Sequence, residues 1–175
     1  TSNCEDKFNQ NISNNLYEKE IESIEVTFQN YRNWIKNGIR ILISEMRITP
    51  EKFKRRFAGD IIIKYEGDLK CKLPARIRHS GDFKDHILVK KNSFIQSLDI
   101  HLKAGNIKGI TKFKLFIIEA KDNYEDEVFM PVLLQEFKYL SPRTHLIKAK
   151  INNVETNVLF QEKASKELLE FNQRR

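Results

Sequence analysis

The sequence predicts an α+β fold with a mostly antiparallel sheet and packed helices. Apolar residues alternate with polar ones in several short segments, as at Ile61, Ile63 and Tyr65, and this is the period of a strand with one buried face. Elsewhere apolar residues recur every three or four positions, which is typical of a helix. The 175 residues are 40% hydrophobic and 31% charged, which is the composition and length of one globular domain.

The N-terminal third is predicted to be a flexible segment followed by a helical extension. Residues 1–20 are polar and rich in asparagine, which favours a flexible or linker segment. Residues 24–28 alternate as in a short strand, and a helical spacing covers residues 31–46. The Thr-Pro-Glu triplet that begins residues 49–57 has the residue types of a helix start, so we expect a second helix there. Together these elements make residues 21–58 a helical N-terminal extension.

Strands dominate the prediction from residue 59 onward. Residues 61–78 are expected to form a hairpin around a Glu-Gly-Asp turn. Pro74 lies inside the second strand of this hairpin, which predicts an edge strand or a bulge. Residues 94–103 and 112–118 are predicted as two further strands.

The C-terminal part is predicted to contain a helix, a hairpin and a last helix. The first helix lies within residues 124–140, with Pro131 at its start or at a kink and an apolar stripe of Leu133, Leu134, Phe137 and Leu140. The hairpin covers residues 144–160 and turns at Asn152-Asn153, because asparagine tolerates positive φ. The last helix, residues 163–172, has no stop signal, so we expect the sequence to be a piece of a longer protein.

The composition argues against nucleic-acid binding and against a membrane span. The net charge of +7 suggests nucleic-acid binding, but acidic residues are interleaved throughout, so nucleic acid is not the expected partner. The basic run Lys52, Lys54, Arg55 and Arg56 is interpreted as the solvated face of an amphipathic helix. No apolar run is long enough for a membrane span. Cys4 and Cys71 are predicted to be unpaired.

The most suggestive segment for function is the charged loop of residues 78–86. It has the sequence Arg-His-Ser-Gly-Asp-Phe-Lys-Asp-His and follows a predicted strand, where backbone geometry can direct side chains toward a ligand. The alternative is a loop held by its own Asp–His and Asp–Arg pairs. The chain has no Walker or dinucleotide glycine motif, and no metal site is predicted.

Element order and several motifs together resemble the spore-coat CotH kinase-like family. The order of strands, charged loop, helix and final hairpin is similar to that of the small lobe of a protein-kinase-like fold. The segments that resemble the family are residues 75–86, 97–103, 108–113, 139–144, 154–162 and 166–175. On this resemblance residues 59–162 are a CotH-like small lobe, and residues 163–175 are the truncated start of the large lobe.

The resemblance implies an atypical protein kinase that uses ATP and Mg²⁺ to phosphorylate serine in the intact parent protein. It puts Arg78, Ser80 and Gly81 at the phosphate-covering loop and makes Lys103 the phosphate-binding lysine. Its helix partner would be Glu127 or Glu136, of which Glu127 is preferred. Gln161 and Glu162 would be the hinge between lobes. The family often has lysine where this chain has His101, and Pro131 is a second departure from its pattern.

Activity and partners follow from the same resemblance. The carboxylates that hold metal in the family belong to the large lobe, beyond residue 175, so the fragment is expected to be inactive alone. The expected partner is a protein with serine-rich segments. The alternative is a non-catalytic cell-surface or envelope interaction protein with a kinase-like fold, and a third hypothesis is a basic nucleic-acid-binding domain. The compartment is left open between cell envelope and cytoplasm.

Overall fold

Nine strands and three α-helices make up the computed structural model, which describes residues 19–67, 69–90, 93–120 and 123–173. In chain order they are β1 (Ile21–Phe28), α1 (Tyr31–Ile43), β2 (Phe57–Tyr65), β3 (Leu69–His79), β4 (Ile87–Lys90), β5 (Ser93–Gln96), β6 (Leu98–Leu102), β7 (Lys112–Ile117), α2 (Tyr124–Glu136), β8 (Thr144–Ile151), β9 (Val154–Glu162) and α3 (Lys166–Phe171). Single 3-10 turns lie at Glu51–Phe53, Lys84–His86 and Ile118–Ala120. The α+β class, mostly of strands, is therefore confirmed.

Seven of the strands close into a barrel in the order β1, β2, β3, β6, β7, β9, β8. Neighbouring strands are antiparallel except at the closure, where β1 and β8 run parallel. The barrel is therefore mixed, and six of its seven strand pairings are antiparallel, in agreement with the expected mostly antiparallel sheet. The remaining strands, β4 and β5, form a separate two-stranded hairpin.

The core fills the inside of the barrel because inward positions alternate along each strand. On β2 and β3 the buried positions include Ile61, Ile63, Leu73 and Ile77. Trp34 of α1 is added to this core at one end of the barrel, where its indole stacks on Phe28 with ring centroids 4.0 Å apart and its Nε1 donates to Asn152 at 2.9 Å. Through Trp34 the helix packs against the core of the barrel.

The predicted hairpins are confirmed. β2 and β3 pair from Tyr65 and Leu69 onward. β8 and β9 pair next to a two-residue turn in which Asn152 and Asn153 have φ of 53° and 62°. This is the backbone of a type I′ turn, whose twist matches that of the flanking strands. The strands or helices expected at β1, α1, β7 and α2 are also present, and α3 is shorter than expected.

The helix predicted for residues 49–57 is wrong. The Thr49 amide donates to the Asp82 carbonyl at 2.7 Å, and Ile48 forms a β-bridge with Phe83. The backbone before residue 50 is therefore paired with the charged loop, and the Thr49 hydroxyl finds no hydrogen-bond partner among the described residues. Only the turn at Glu51–Phe53 is helical, and β2 begins at Phe57. The basic run thus does not lie on a solvated helix face.

One strand prediction also needs correction, and the prediction for Pro74 holds locally. The strand expected over residues 94–103 is broken at Ser97, between β5 and β6. No bulge lies at Pro74, because β3 pairs with β2 in regular register, but the expected edge is present locally, since the strand pairing of β3 with β6 does not reach Pro74. Its missing N–H is tolerated because the β6 pairing ends at Ala75 and Leu102, one residue away.

Helix α2 and Cys71 differ from the expectations as well. No described residue of α2 is fully buried, although an apolar stripe was predicted there. Cys71, expected to be unpaired, is disulfide-bonded, and the chain's other cysteine, Cys4, lies outside the described residues. Within the described ranges, no helix has both the length and the apolar character needed to cross a membrane.

Candidate anion-binding site

A pocket of about 420 Å³ lies on the outside of the barrel, where β3 ends and the charged loop begins. Basic side chains form most of its charged lining. The residues that line it are Lys54, Arg78, His79, Ser80, Gly81, Asp82, Phe83, His86, Asp99, Lys114, Phe116 and Lys163. Four of these residues are lysine or arginine and two are aspartate, so the pocket favours an anion.

Strand register brings the charged residues of the pocket wall together. Arg78 on β3 is opposite Asp99 on β6, and Asp99 is opposite Lys114 on β7. These positions alternate with buried ones such as Ile77 and Ile100, so their side chains point away from the barrel core. Lys163 reaches the same wall because its amide continues the pairing of β9 by donating to the Lys112 carbonyl at 3.0 Å.

Asp99 is the buried anion at the centre of this wall. Its carboxylate is only 2% exposed and accepts hydrogen bonds from Arg78 at 2.9 Å and from Lys163 at 3.1 Å. Arg56 approaches the other carboxylate oxygen at 3.4 Å. Burial acts to raise the pKa of Asp99, but the combined effect of Lys163, Arg56 and Arg78 is larger and lowers the pKa below its ordinary value. The carboxyl is therefore ionised at neutral pH. One carboxylate therefore fixes the positions of three cations.

The other two cations of the pocket differ in their partners. Lys54 lies 2.5 Å from Asp82 and 3.2 Å from Glu51, and the hydrogen bond to Asp82 raises its pKa. Lys114 has no carboxylate partner among the described residues, and its ammonium lies 5.3 Å from the ring centroid of Phe116. Lys114 is consequently the pocket cation with the most freedom to bind a ligand.

Ser97, at the break between β5 and β6, holds the charged loop in place. Its carbonyl accepts from the Ser80 amide at 2.8 Å, and its own amide donates to the His86 carbonyl at 2.9 Å. Its hydroxyl accepts from the Ile117 amide and lies 3.1 Å from His86 Nδ1. The two ends of the loop are thereby tied to one residue of the barrel wall.

Gly81 is required by the shape of this loop. Its φ is +110°, which side-chain-bearing residues rarely adopt, and a Cβ there would lie 2.2 Å from the His86 ring. The absence of a side chain also leaves backbone accessible at the pocket surface, where an anion can approach closely.

His79 gives the pocket a neutral polar group. The imidazole is 1% exposed, and burial, followed by the charge of His86, lowers its pKa to about 4. The side chain of Gln96 lies close to it. Neither side chain has a hydrogen-bond partner among the described residues, although nearly all buried polar groups in proteins have one.

The structure brings together only some of the residues expected from the sequence. Arg78, Ser80 and Gly81 line the pocket. Lys103 is exposed and follows the far end of β6, about 13 Å along the strand from Asp99. Glu127 lies on α2, and neither it nor Lys103 lines the pocket.

The expected hinge residues, Gln161 and Glu162, are the last two residues of β9. Glu162 is buried and forms a bidentate ion pair with Arg143, at 2.8 Å and 3.0 Å. Arg143 also stacks on Phe171 of α3, with its guanidinium carbon 4.1 Å from the ring centroid. This contact ties the last strand to the helix that follows it.

Two charges of the loop whose partners the structure describes pair with residues outside it. Arg78 pairs with Asp99, and Asp82 pairs with Lys54, so both charges reach residues outside the loop. The side chain of Asp85 lies outside the described part of the structure. The loop is therefore positioned by the barrel wall.

Sequence reasoning missed Asp99, Lys114, Lys163 and Lys54. One signal for Asp99 was available, since it is a carboxylate between Leu98 and Ile100 in a strongly apolar strand. The positions of Lys114, Lys163 and Lys54 in the pocket depend on strand register and on the path of residues 48–56. The local sequence pattern encodes neither.

The two pocket carboxylates are occupied by cations rather than arranged for a metal. Asp82 contacts Lys54, and Asp99 contacts arginine and lysine. Within the described ranges, no group of three or more His, Cys, Asp or Glu side chains is arranged to hold a metal ion.

Comparison with known proteins gives no family assignment: no protein-family model matches the chain, and no curated protein matches it significantly.

Proposed function

We propose that the pocket binds the phosphate groups of ATP and that the chain is the nucleotide-binding part of a CotH-like atypical protein kinase. In the intact parent such a kinase would use ATP and Mg²⁺ to phosphorylate serine on a protein substrate. The observation that carries the proposal is the excess of basic over acidic side chains around Arg78, Ser80 and Gly81. These three residues were expected at the phosphate-covering loop.

The pocket chemistry supports a phosphate ligand. Lys114 and Lys163 offer ammonium groups, and Arg78 offers a guanidinium whose shape matches phosphate oxygens. Two aromatic rings, Phe83 and Phe116, also line the pocket and suit an organic ligand better than a free inorganic ion. Gly81 allows the loop backbone to approach the phosphates.

Strand order supports a kinase-like small lobe. Five adjacent strands, β3, β6, β7, β9 and β8, are antiparallel, and α2 connects β7 to β8. In protein kinases the phosphate-binding lysine lies on the third strand and pairs with a glutamate of the following helix. Counted along the barrel from β3, with β2 and the separate β4–β5 hairpin left out, the third strand here is β7. The proposal therefore assigns the phosphate-binding role to Lys114 of β7 in preference to Lys103.

The pocket residues fit the anionic part of ATP, but those that the structure describes do not supply a magnesium site. Asp82 and Asp99 are each ion-paired with basic side chains, which leaves them poorly suited as metal ligands. On the family resemblance the metal-holding carboxylates belong to the large lobe. The part of the proposal that the described residues support is therefore nucleotide binding.

Titration of the full chain with ATP, with and without Mg²⁺, tests the proposal. Replacing Lys114 with Gln should weaken ATP binding about tenfold, the order of one charge-assisted hydrogen bond. The matched control is Lys148→Gln, which removes the same charge from exposed β8 outside the pocket. If ATP binds without discrimination between the two variants, or does not bind at all, the proposal fails.

A non-catalytic interaction protein of the cell surface or envelope is the second candidate. It is favoured by α2, on which the side chains of Phe129, Met130 and Val132 are all exposed. The same titration separates the candidates, because this protein would need no affinity for ATP.

A further inference from the structure

Beside the pocket, the outer wall of the barrel carries a row of basic side chains. Arg76 on β3 is opposite His101 on β6, and His101 is opposite Lys112 on β7. None of these three residues lines the pocket. The row runs beside the pocket row of Arg78, Asp99 and Lys114, two residues away from it on each strand. We call it the Arg76 row.

The Arg76 row lacks the anion that stabilises the pocket row. In the pocket row the central residue is Asp99, whereas in the Arg76 row it is a histidine. The Arg76 guanidinium has no carboxylate partner among the described residues, and Lys112 has only Glu167, at 3.6 Å.

Surrounding groups increase this positive charge. Arg56 donates to the Arg76 carbonyl at 3.2 Å, which brings its guanidinium to the same wall. Burial lowers the pKa of His101, and Lys112, Arg56 and Lys103 lower it further, so the imidazole is adjacent to several cations. Glu167 is the carboxylate that faces this group, and it is already hydrogen-bonded to Thr111 at 2.7 Å.

The two rows are close enough for one ligand to contact both. Arg76 and Arg78 are two residues apart on β3, so their Cα atoms are separated by about 7 Å. We propose that the Arg76 row is a second anion subsite, and that the ligand held in the pocket carries a further phosphate group that reaches this row. The ligand class is a small molecule with several phosphates, either linked in a chain or attached at separate positions. The inference rests on the phosphate pocket of the proposed function.

Inorganic phosphates of different length test the subsite directly on the full chain. Orthophosphate reaches one row, whereas tripolyphosphate reaches both. At fixed ionic strength, Arg76→Gln and Lys112→Gln should each weaken tripolyphosphate binding about fivefold, as expected for a partly exposed charge. Neither variant should change orthophosphate binding by more than about twofold. Lys114→Gln should weaken both.

The control is Lys70→Gln, which removes an exposed charge from the same strand, β3, outside both rows. The inference is overturned if Arg76→Gln and Lys112→Gln behave like Lys70→Gln toward tripolyphosphate, even when Lys114→Gln loses ATP and the pocket proposal stands. Conversely, if tripolyphosphate binding depends on Arg76 but ATP does not displace the tripolyphosphate, the second subsite is supported and the proposal that the pocket binds ATP is refuted. Absence of binding by every probe refutes both.

Discussion

Replacing Asp99 with Asn tests how the pocket wall is held together. The substitution keeps the shape of the side chain and removes the charge that Arg78, Lys163 and Arg56 share. Removing one partner of a fully buried ion pair costs about 3–5 kcal/mol. The three cations here are about one third exposed, so water compensates part of this loss. We expect the free energy of unfolding to fall by about 2–3 kcal/mol.

Urea unfolding at neutral pH in chloride buffer measures this loss. At this chain length it corresponds to a melting temperature lower by about 4–12 °C. Glu25→Gln is the control, because Glu25 and Lys150 form an exposed pair at 3.1 Å whose loss should cost at most about 1 kcal/mol. Equal stabilities of Asp99→Asn and Glu25→Gln would refute the central role of Asp99.

The same variant should respond to inorganic phosphate more strongly than the wild type. Without the Asp99 carboxylate, the three cations are available to a bound anion, so phosphate should restore part of the lost melting temperature. Sulfate serves as a second anion of similar shape. If phosphate and sulfate stabilise the wild type and Asp99→Asn equally, the cations do not form an anion site.

Two further predictions concern the pocket floor and the β8–β9 turn. Because the pKa of His79 is about 4 in the folded state and 6.5 is its ordinary value, the folded protein binds fewer protons below pH 6.5, and stability should decline from pH 6.5 toward 4. In the wild type the free energy of unfolding should change with pH by up to about 1.4 kcal/mol per unit, and His79→Leu should remove this dependence. The prediction is refuted if the difference in unfolding free energy between variant and wild type does not change with pH. In the turn, Asn153→Gly should stabilise by about 0.5 kcal/mol because glycine adopts positive φ without strain. Asn152→Gly should destabilise by about 1–3 kcal/mol because it removes hydrogen bonds to Trp34 and to the Phe94 carbonyl, and thermal unfolding that ranks these two variants in the opposite order would contradict the assignment.

Local patterns predicted most of the strands but not the wall that carries the site. Alternation at Ile61 and Ile63 is a property of neighbouring residues, so it can be recognised directly in the sequence. The proximity of Arg78, Asp99 and Lys114 depends on the register of three strands, which a single sequence specifies only through the whole core.

The failed helix at residues 49–57 shows a tertiary contact that overrides a local signal. Thr49, Pro50 and Glu51 are good helix-start residues, but the Thr49 amide is bonded to the Asp82 carbonyl. The partner residue is more than thirty positions away, outside any local window. Asp82 also pairs with Lys54, which lines the pocket, so the missed element and the missed site residue have the same distant partner.

Closure of the barrel has a consequence for binding. The parallel seam between β1 and β8 lies on the side of the barrel away from β6 and β7, so the strands of both basic rows have partners on each side. A strand with two neighbours cannot easily shift to separate like charges. The cations Arg76 and Lys112, on either side of His101, are therefore held in place by folding before any ligand arrives. Closure of the barrel at the β1–β8 pairing therefore preorganises the wall that carries the basic rows. A substitution that weakens the pairing of β1 should weaken anion binding even though it changes no basic residue.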